Sequence, residues 1–422
     1  MIMWKRKITQ RLLSALDDTP VVVLQGARQT GKSTLAQMVG GQQHPAIYLT
    51  MDNITTLVAA KQDPVGFLAG LGHQNVILDE IQRVPEIFLP LKAAVDINRR
   101  PGRFLLTGSA SVLALPHLAD ALVGRMELVT LWPLAQCEIE GGGSDWVDQI
   151  FSHEPLPIKQ FASSRQDVIR RALVGGYPEA LLRGSDTRRT DWFDAYVTTV
   201  LQRDIRDLAA IQGLSELPLL LALIAARATA SLNVSDLSRS ARIPVSTLNR
   251  YLTLLQATFL LHLIPAWSSN LTSRLVKAPK ILLNDSGILA YLAGMTEMQL
   301  ETSPTAAGML IENFVGMELV KLASWSQTRP QLFYFRTHDG KEVDFLLESR
   351  AGQIVGIEVK AASSVQEADF RGLRAVADLL GDRFVRGLVL YTGDTLLPFG
   401  PRLNAVPMAA LWTPAEDSEL FK

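Results

Sequence analysis

One stretch restricts the fold of this chain more than any other: residues 21–37, reading VVVLQGARQTGKSTLAQ. Three valines and a leucine form an apolar run long enough for a buried strand and too short for a helix. Gly26-Ala27-Arg28-Gln29-Thr30-Gly31-Lys32-Ser33 then completes a G-x-x-x-x-G-K-S pattern, and the residues to about Val39 are compatible with a helix. A strand that runs through a glycine bend into a helix is a phosphate-binding unit of α/β proteins. Backbone N–H groups wrap the phosphate oxygens, and the helix N-terminus adds its positive dipole. Lys32 is placed to reach β and γ oxygens, and the Ser33 hydroxyl to ligate Mg2+. Gly26 through Ser33, with Thr34, is the expected contact set for ATP.

At 422 residues the chain is long enough for several domains with sizeable cores. Its 48% hydrophobic and 20% charged content is that of an ordered soluble protein, and the net charge of −1 excludes a polycation. Any nucleic-acid contact must therefore come from a local patch. The single Cys137 excludes an intramolecular disulfide and a cysteine-rich zinc site. The first residues read as an amphipathic helix rather than a signal, and the apolar stretches near 217–226 and 259–266 are too short to span a membrane. The expected location is cytoplasmic.

Beyond the loop, residues 46–50 read as a second strand, and Val76-Ile77-Leu78-Asp79-Glu80 as a third that ends in two acids. Asp79 is expected to hold Mg2+ and Glu80 to orient or deprotonate the attacking water. Residues 86–98 read as a helix. Phe104-Leu105-Leu106-Thr107-Gly108-Ser109 is another buried strand with a polar end, where Thr107 or Ser109 would sense the γ-phosphate. Residues 110–122 read as helical. Arg125, just before the strand 126–131, could project into a neighbouring subunit's nucleotide and neutralise charge during phosphoryl transfer.

Together the loop, the Asp79-Glu80 pair, the Thr107-Gly108-Ser109 strand end and Arg125 resemble the AAA-type ATPase module. More narrowly, GARQTGKST, LDEIQ, LLTGSA and LWPLAQCEI resemble a prokaryotic family of archaeal-type ATPases with a C-terminal domain of unknown function. The resemblance implies a five-stranded parallel sheet flanked by helices, a helical lid and a homo-oligomeric ring, possible as a hexamer. Strand and helix alternation independently supports only an α/β domain.

Further on, residues 166–173, 177–183 and 191–210 read as helices suited to a lid. Residues 217–228 read as a helix, and Asn233 to Ala257 as two helices joined by a tight turn at Ile243-Pro244. A short extended segment, 259–264, follows. This is the layout of a winged-helix-like segment, with Ser246, Thr247, Asn249 and Arg250 facing DNA.

In the C-terminal part, Glu312 lies on the apolar stripe of a helix at 308–322, a costly place for a carboxylate unless it is paired or metal-bound. Alternation in residues 341–347 puts Glu342, Asp344 and Leu346 on one face. In residues 354–360 it groups Gly356, Glu358 and Lys360. Asp344 followed by Glu358-Val359-Lys360 resembles a restriction-endonuclease-like core, D…E-x-K. The resemblance implies metal ligation by Glu312, Asp344 and Glu358, with Lys360 serving the attacking water.

The combined expectation is α/β: an AAA-type P-loop ATPase core at 1–140, a helical lid at 141–213, a winged-helix-like segment at 214–270 and a restriction-endonuclease-like domain at 271–422. Its function would be ATP hydrolysis coupled to DNA processing, with Lys32, Glu80, Ser109, Arg125 and Lys360 as catalytic groups. The competing expectations are a nucleotide-dependent switch or protein-remodelling ATPase with an inactive nuclease-like docking domain, and a P-loop kinase.

Overall fold

Val21–Gln25 (β1) is buried along its whole length because it runs through the middle of a sheet. The computed structural model describes residues 4–111, 122, 124–142, 145–208, 214–270, 274, 277–337 and 340–413. With Ile47–Thr50 (β2), Val76–Asp79 (β3), Phe104–Gly108 (β4) and Met126–Thr130 (β5), β1 forms a five-stranded sheet ordered β2-β3-β4-β1-β5. Every pairing is parallel. Period-two alternation sends Val21 and Val23 to one core, with Leu78, Leu106, Phe88 and Leu91. Val22 and Leu24 face the other, with Leu12, Leu16, Leu35 and Val39. A strand buried on both faces has no polar alternation, which accounts for the unbroken valine run.

Parallel strands place all their C-terminal ends at one edge, where ligands of open α/β sheets bind. The glycine loop after β1, the end of β3 and the end of β4 meet there. Arg125 precedes β5, and its carbonyl accepts from the N–H of Val21, the first residue of β1. It therefore lies at the opposite edge. The expected helix at 110–122 lies outside the described residues except at 110, 111 and 122.

Lys159–Gln160 (β6) is the first strand after this sheet. The helices Arg165–Val174 and Asp186–Thr199 follow, and the second continues as a π-helical turn, Val200–Asp204. Val234–Ala241 and Val245–Ala257 are joined by a turn in which Arg242 adopts φ 57°. An antiparallel pair, Leu261–Ile264 (β7) and Lys280–Leu283 (β8), comes next.

The 22-residue helix Pro304–Trp325 packs on a seven-stranded mixed sheet. Its remaining strands are Gln331–Arg336 (β9), Glu342–Glu348 (β10), Ile354–Lys360 (β11), Phe384–Tyr391 (β12), Thr395–Pro398 (β13) and Leu403–Pro407 (β14), in the order β6-β13-β14-β12-β11-β10-β9. Two features depart from the sequence reading. β6, within the span expected to be a helical lid, pairs with β13 and extends this sheet. Leu346 does not share a face with Glu342 and Asp344. The register of β10 against β9 shifts between Val343 and Leu346, so both residues enter one core with Leu373 and Phe384. One extra residue in a strand reverses the alternation beyond it. No helix among the described residues is long and apolar enough to cross a membrane.

Candidate functional site

The phosphate loop is held in shape before any ligand arrives. Gly26 has φ 154°, and a Cβ there would lie 2.2 Å from the Leu131 carbonyl oxygen. Gly31 has φ 94° and leads into the helix Lys32–Gln42. Gln29 adopts φ 62°, a left-handed conformation uncommon outside glycine. Ala27 is buried, and its carbonyl accepts from the Thr30 hydroxyl and from Lys32 Nζ, both at 2.9 Å. Burial lowers the Lys32 pKa to about 8, opposed by the charges of Glu80 and Asp79. Outside the loop, the buried Arg6 donates to the Thr30 carbonyl at 2.7 Å and pairs with Glu138 at 3.1 Å. Arg6 is a brace that the motif alone does not reveal. Its partner Glu138 lies within LWPLAQCEI, one of the phrases that carried the resemblance.

At the end of β3, Asp79 is nearly buried and ringed by hydroxyls. Ser33 Oγ lies 2.9 and 3.1 Å from its two carboxylate oxygens, Tyr48 donates at 2.7 Å, and Thr107 donates from β4. Glu80 turns away in a left-handed conformation, φ 57°, and its N–H donates to Thr107 Oγ1. Such backbone strain tends to gather where a side chain must be aimed. Gln82 Nε2 donates to Glu80 at 2.5 Å and to Ser109 Oγ at 3.0 Å, linking the strand ends of β3 and β4. Gln82 was not singled out in the sequence, although it lies inside LDEIQ. Its Oε1 is buried without a hydrogen-bond partner. The structure thus brings Lys32, Ser33, Asp79, Glu80 and Ser109 to one sheet edge. The Ser33 hydroxyl and Asp79 carboxylate are the hard, adjacent oxygen donors that Mg2+ requires.

Arg125 is not part of this group. At the other sheet edge it forms a two-point ion pair with Asp96, at 2.6 and 3.0 Å. Its place at that edge, paired with Asp96, keeps it away from the phosphate loop of its own chain. A different arginine contacts the central helices: Arg28 of the loop pairs with Asp204 of the π-helical turn at 3.0 Å. Beside it a cavity of about 530 Å³ opens between Gln29, Gly31 and Thr34 on one side and Leu182, Trp192 and Tyr196 on the other.

A second acidic group lies in the C-terminal part. Asp344 Oδ2 accepts from the N–H of Val359 at 2.8 Å, which joins β10 to β11. Glu312 approaches from the long helix, and burial, then Asp344, raises its pKa to about 7. The same two causes raise Glu358 to about 8. Glu358 pairs with Lys360 at 2.9 Å, and Lys360 also faces Asp369 at 3.7 Å. The residue missed by sequence is Lys280, the first of β8 and 1% exposed. Its ammonium lies 2.7 Å from Glu312, 3.5 Å from Asp344 and 3.7 Å from Glu342. Among the described residues no group of three or more His, Cys, Asp or Glu side chains is placed to hold a metal ion. Of the expected metal set, Glu312 and Asp344 meet around Lys280, while Glu358 pairs with Lys360. Nothing near Lys280 in the sequence signals this, because its partners are distant along the chain.

Comparison with known proteins agrees with the first site. Residues 18–140 match an AAA domain model. Residues 165–299 and 307–411 match two domains of unknown function, DUF8612 and DUF4143. One solved structure found in the comparison is a signal transduction ATPase with numerous domains (STAND) carrying a tetratricopeptide repeat sensor, from Pyrococcus horikoshii. It is 13% identical, with a TM-score of 0.26, and the likeness covers 75% of this chain and 46% of that one. Uncharacterized proteins of Mycobacterium bovis and Mycobacterium tuberculosis are each 31% identical over 424 residues, covering 100% of this chain and 87% of theirs. The chain therefore belongs to the family of these mycobacterial proteins, a prokaryotic family of AAA-type ATPases.

Proposed function

We propose that the protein is a Mg2+-dependent ATPase that uses nucleotide turnover to act on DNA. The observation that carries the first clause is the convergence of Ser33, Tyr48 and Thr107 hydroxyls on the Asp79 carboxylate beside Lys32. The triphosphate would lie along Gly26 to Thr34. Lys32 would exchange the Ala27 carbonyl for β and γ oxygens. Ser33 and Asp79 would hold magnesium, which when bound would supply positive charge to offset that of the phosphates. Glu80, held by Gln82 and Ser109, would orient the attacking water and take its proton. Arg28, tied to Asp204, would carry the nucleotide state to the helices above the loop, which we read as the lid. Arg125 would act across a subunit interface of a homo-oligomer.

The DNA clause rests on the second helix of the pair 234–257, where Ser246, Asn249 and Arg250 are exposed and Thr247 partly so. These side chains suit phosphate and base-edge contacts, in a segment we read as winged-helix-like. The C-terminal sheet, with Asp344 and Glu358-Val359-Lys360 on neighbouring strands, is read as restriction-endonuclease-like. A second reading, a switch whose nuclease-like sheet docks rather than cuts, is favoured by the lysine within the acidic group. Steady-state hydrolysis by wild type, Lys32→Ala and Glu80→Gln tests the ATPase clause; equal rates in all three contradict it. Gel-shift titration of duplex and branched DNA at several salt concentrations tests the other clause. Binding that fails to weaken steeply with salt, or that Arg250→Ala leaves unchanged, counts against it.

A further inference from the structure

Among the carboxylates of the C-terminal part, the central cation comes from the chain itself. We propose that Lys280 occupies the position among Glu312, Asp344 and Glu342 that a divalent ion would need, so that this nuclease-like site is locked in a metal-free, ion-paired state. The proposal rests on the nuclease-like reading of the C-terminal sheet and on nothing at the phosphate loop.

Three observations support it. The ammonium is almost completely withdrawn from water, at 1% exposure, while lying within 4 Å of three carboxylates. A buried ammonium persists only when its charge is matched, and two of the three matching groups here, Glu312 and Asp344, are acids a nuclease would give to its metal.

The side chain is also confined. The rings of Tyr334 and Phe345 flank Nζ, at 5.6 and 5.3 Å from their centroids, and the Asp344 carbonyl lies 3.4 Å away. Cation–π contact from two sides favours an ammonium at this spot. Lys280 is not on a loose arm either. It opens β8, pairs with Ile264 of β7 and bridges Ser231.

Finally, the remaining acid is satisfied separately. Glu358 is bound by Lys360, and one oxygen of Asp344 is taken by the Val359 N–H. A divalent ion entering this group would have to displace a buried ammonium from its carboxylates, against the repulsion of like charges.

The experiment is Mn2+ titration followed by electron paramagnetic resonance of the free ion, on full-length wild type, Asp344→Asn, Lys280→Met and Lys280→Met/Asp344→Asn, without nucleotide. Wild type and Asp344→Asn should take up the same amount of Mn2+. Lys280→Met should bind one equivalent more, and the double variant should lose it. If wild type binds one equivalent more than Asp344→Asn, the lysine does not exclude metal and the proposal is overturned, while the nuclease-like reading survives. If Lys280→Met folds but gains no Mn2+, the group is not a metal position at all, and both fail. The wild-type against Asp344→Asn comparison decides the exclusion of metal even if Lys280→Met does not fold.

Discussion

Asp79 and Asp344 are both strand carboxylates near a lysine, but their surroundings differ in kind. Around Asp79 the close partners are neutral hydroxyls of Ser33, Tyr48 and Thr107, and Lys32 is turned aside to the Ala27 carbonyl. Around Asp344 and its neighbours the partners are ammonium groups, Lys280 and Lys360. Hydroxyls can orient a carboxylate without cancelling its charge, and so leave it able to attract a cation from solution. An ammonium cancels the charge in advance. The difference teaches that an acidic group is recognised as a metal position by what else faces it, not by the acids alone.

Two substitutions probe the comparison where it is widest. Asp79→Asn keeps the hydroxyl ring but removes the charge, and should lower ATP turnover by about a thousandfold, the upper end of the loss on removing one electrostatic stabiliser. A coupled phosphate-release assay measures it, and turnover within threefold of wild type would place the metal elsewhere. At the other group the main effect should be on folding. Lys280→Met leaves Glu312 and Asp344 facing each other unpaired, and should destabilise the protein by about 3 kcal/mol. Adding Glu312→Gln should recover part of that loss in urea melts. A double variant no more stable than Lys280→Met would mean that the ion pair is incidental to the fold. A smaller effect is expected from Gln82→Ala, which removes the amide donor shared by Glu80 and Ser109 and leaves only the longer Ser109–Glu80 contact: kcat should fall on the order of tenfold, with KM for ATP little changed.

How much of this could be read from the chain depends on how local each arrangement is. The valine run and glycine loop were legible because β1, the bend and the following helix are consecutive. Asp79-Glu80 was legible for the same reason, as the visible end of one apolar strand. Lys280 was not, because its contacts span 32 residues to Glu312 and 64 to Asp344, and only tertiary packing makes them neighbours. Leu346 was assigned to the wrong face since alternation assumes an unbroken ladder, and the irregularity after Val343 breaks it. β6, two residues long, is too short to show any period. Gln82 was visible as a letter but not as a partner. Its approach to Glu80 depends on the left-handed backbone at Glu80, which no composition rule predicts for a non-glycine residue.

The hairpin that carries Lys280 also touches the ATPase side, and this link gives the smallest effect. His262 of β7 packs edge-on against Trp132, the second residue after β5, with ring centroids 5.4 Å apart. Burial alone lowers its pKa from 6.5 to about 4. The folded state thus disfavours the proton that the unfolded chain accepts near pH 6.5. The stability due to neutral His262 is complete above that pH and is lost as pH falls toward 4. The ring is only partly buried, so water screens the effect and a loss of about 1 kcal/mol is expected between pH 7 and pH 5. His262→Phe keeps the aromatic contact and removes the titration, so its melting temperature should fall less than that of wild type over this range. Equal falls in both proteins would show that His262 does not set the acid sensitivity, and the hairpin would no longer count as a pH-sensitive joint.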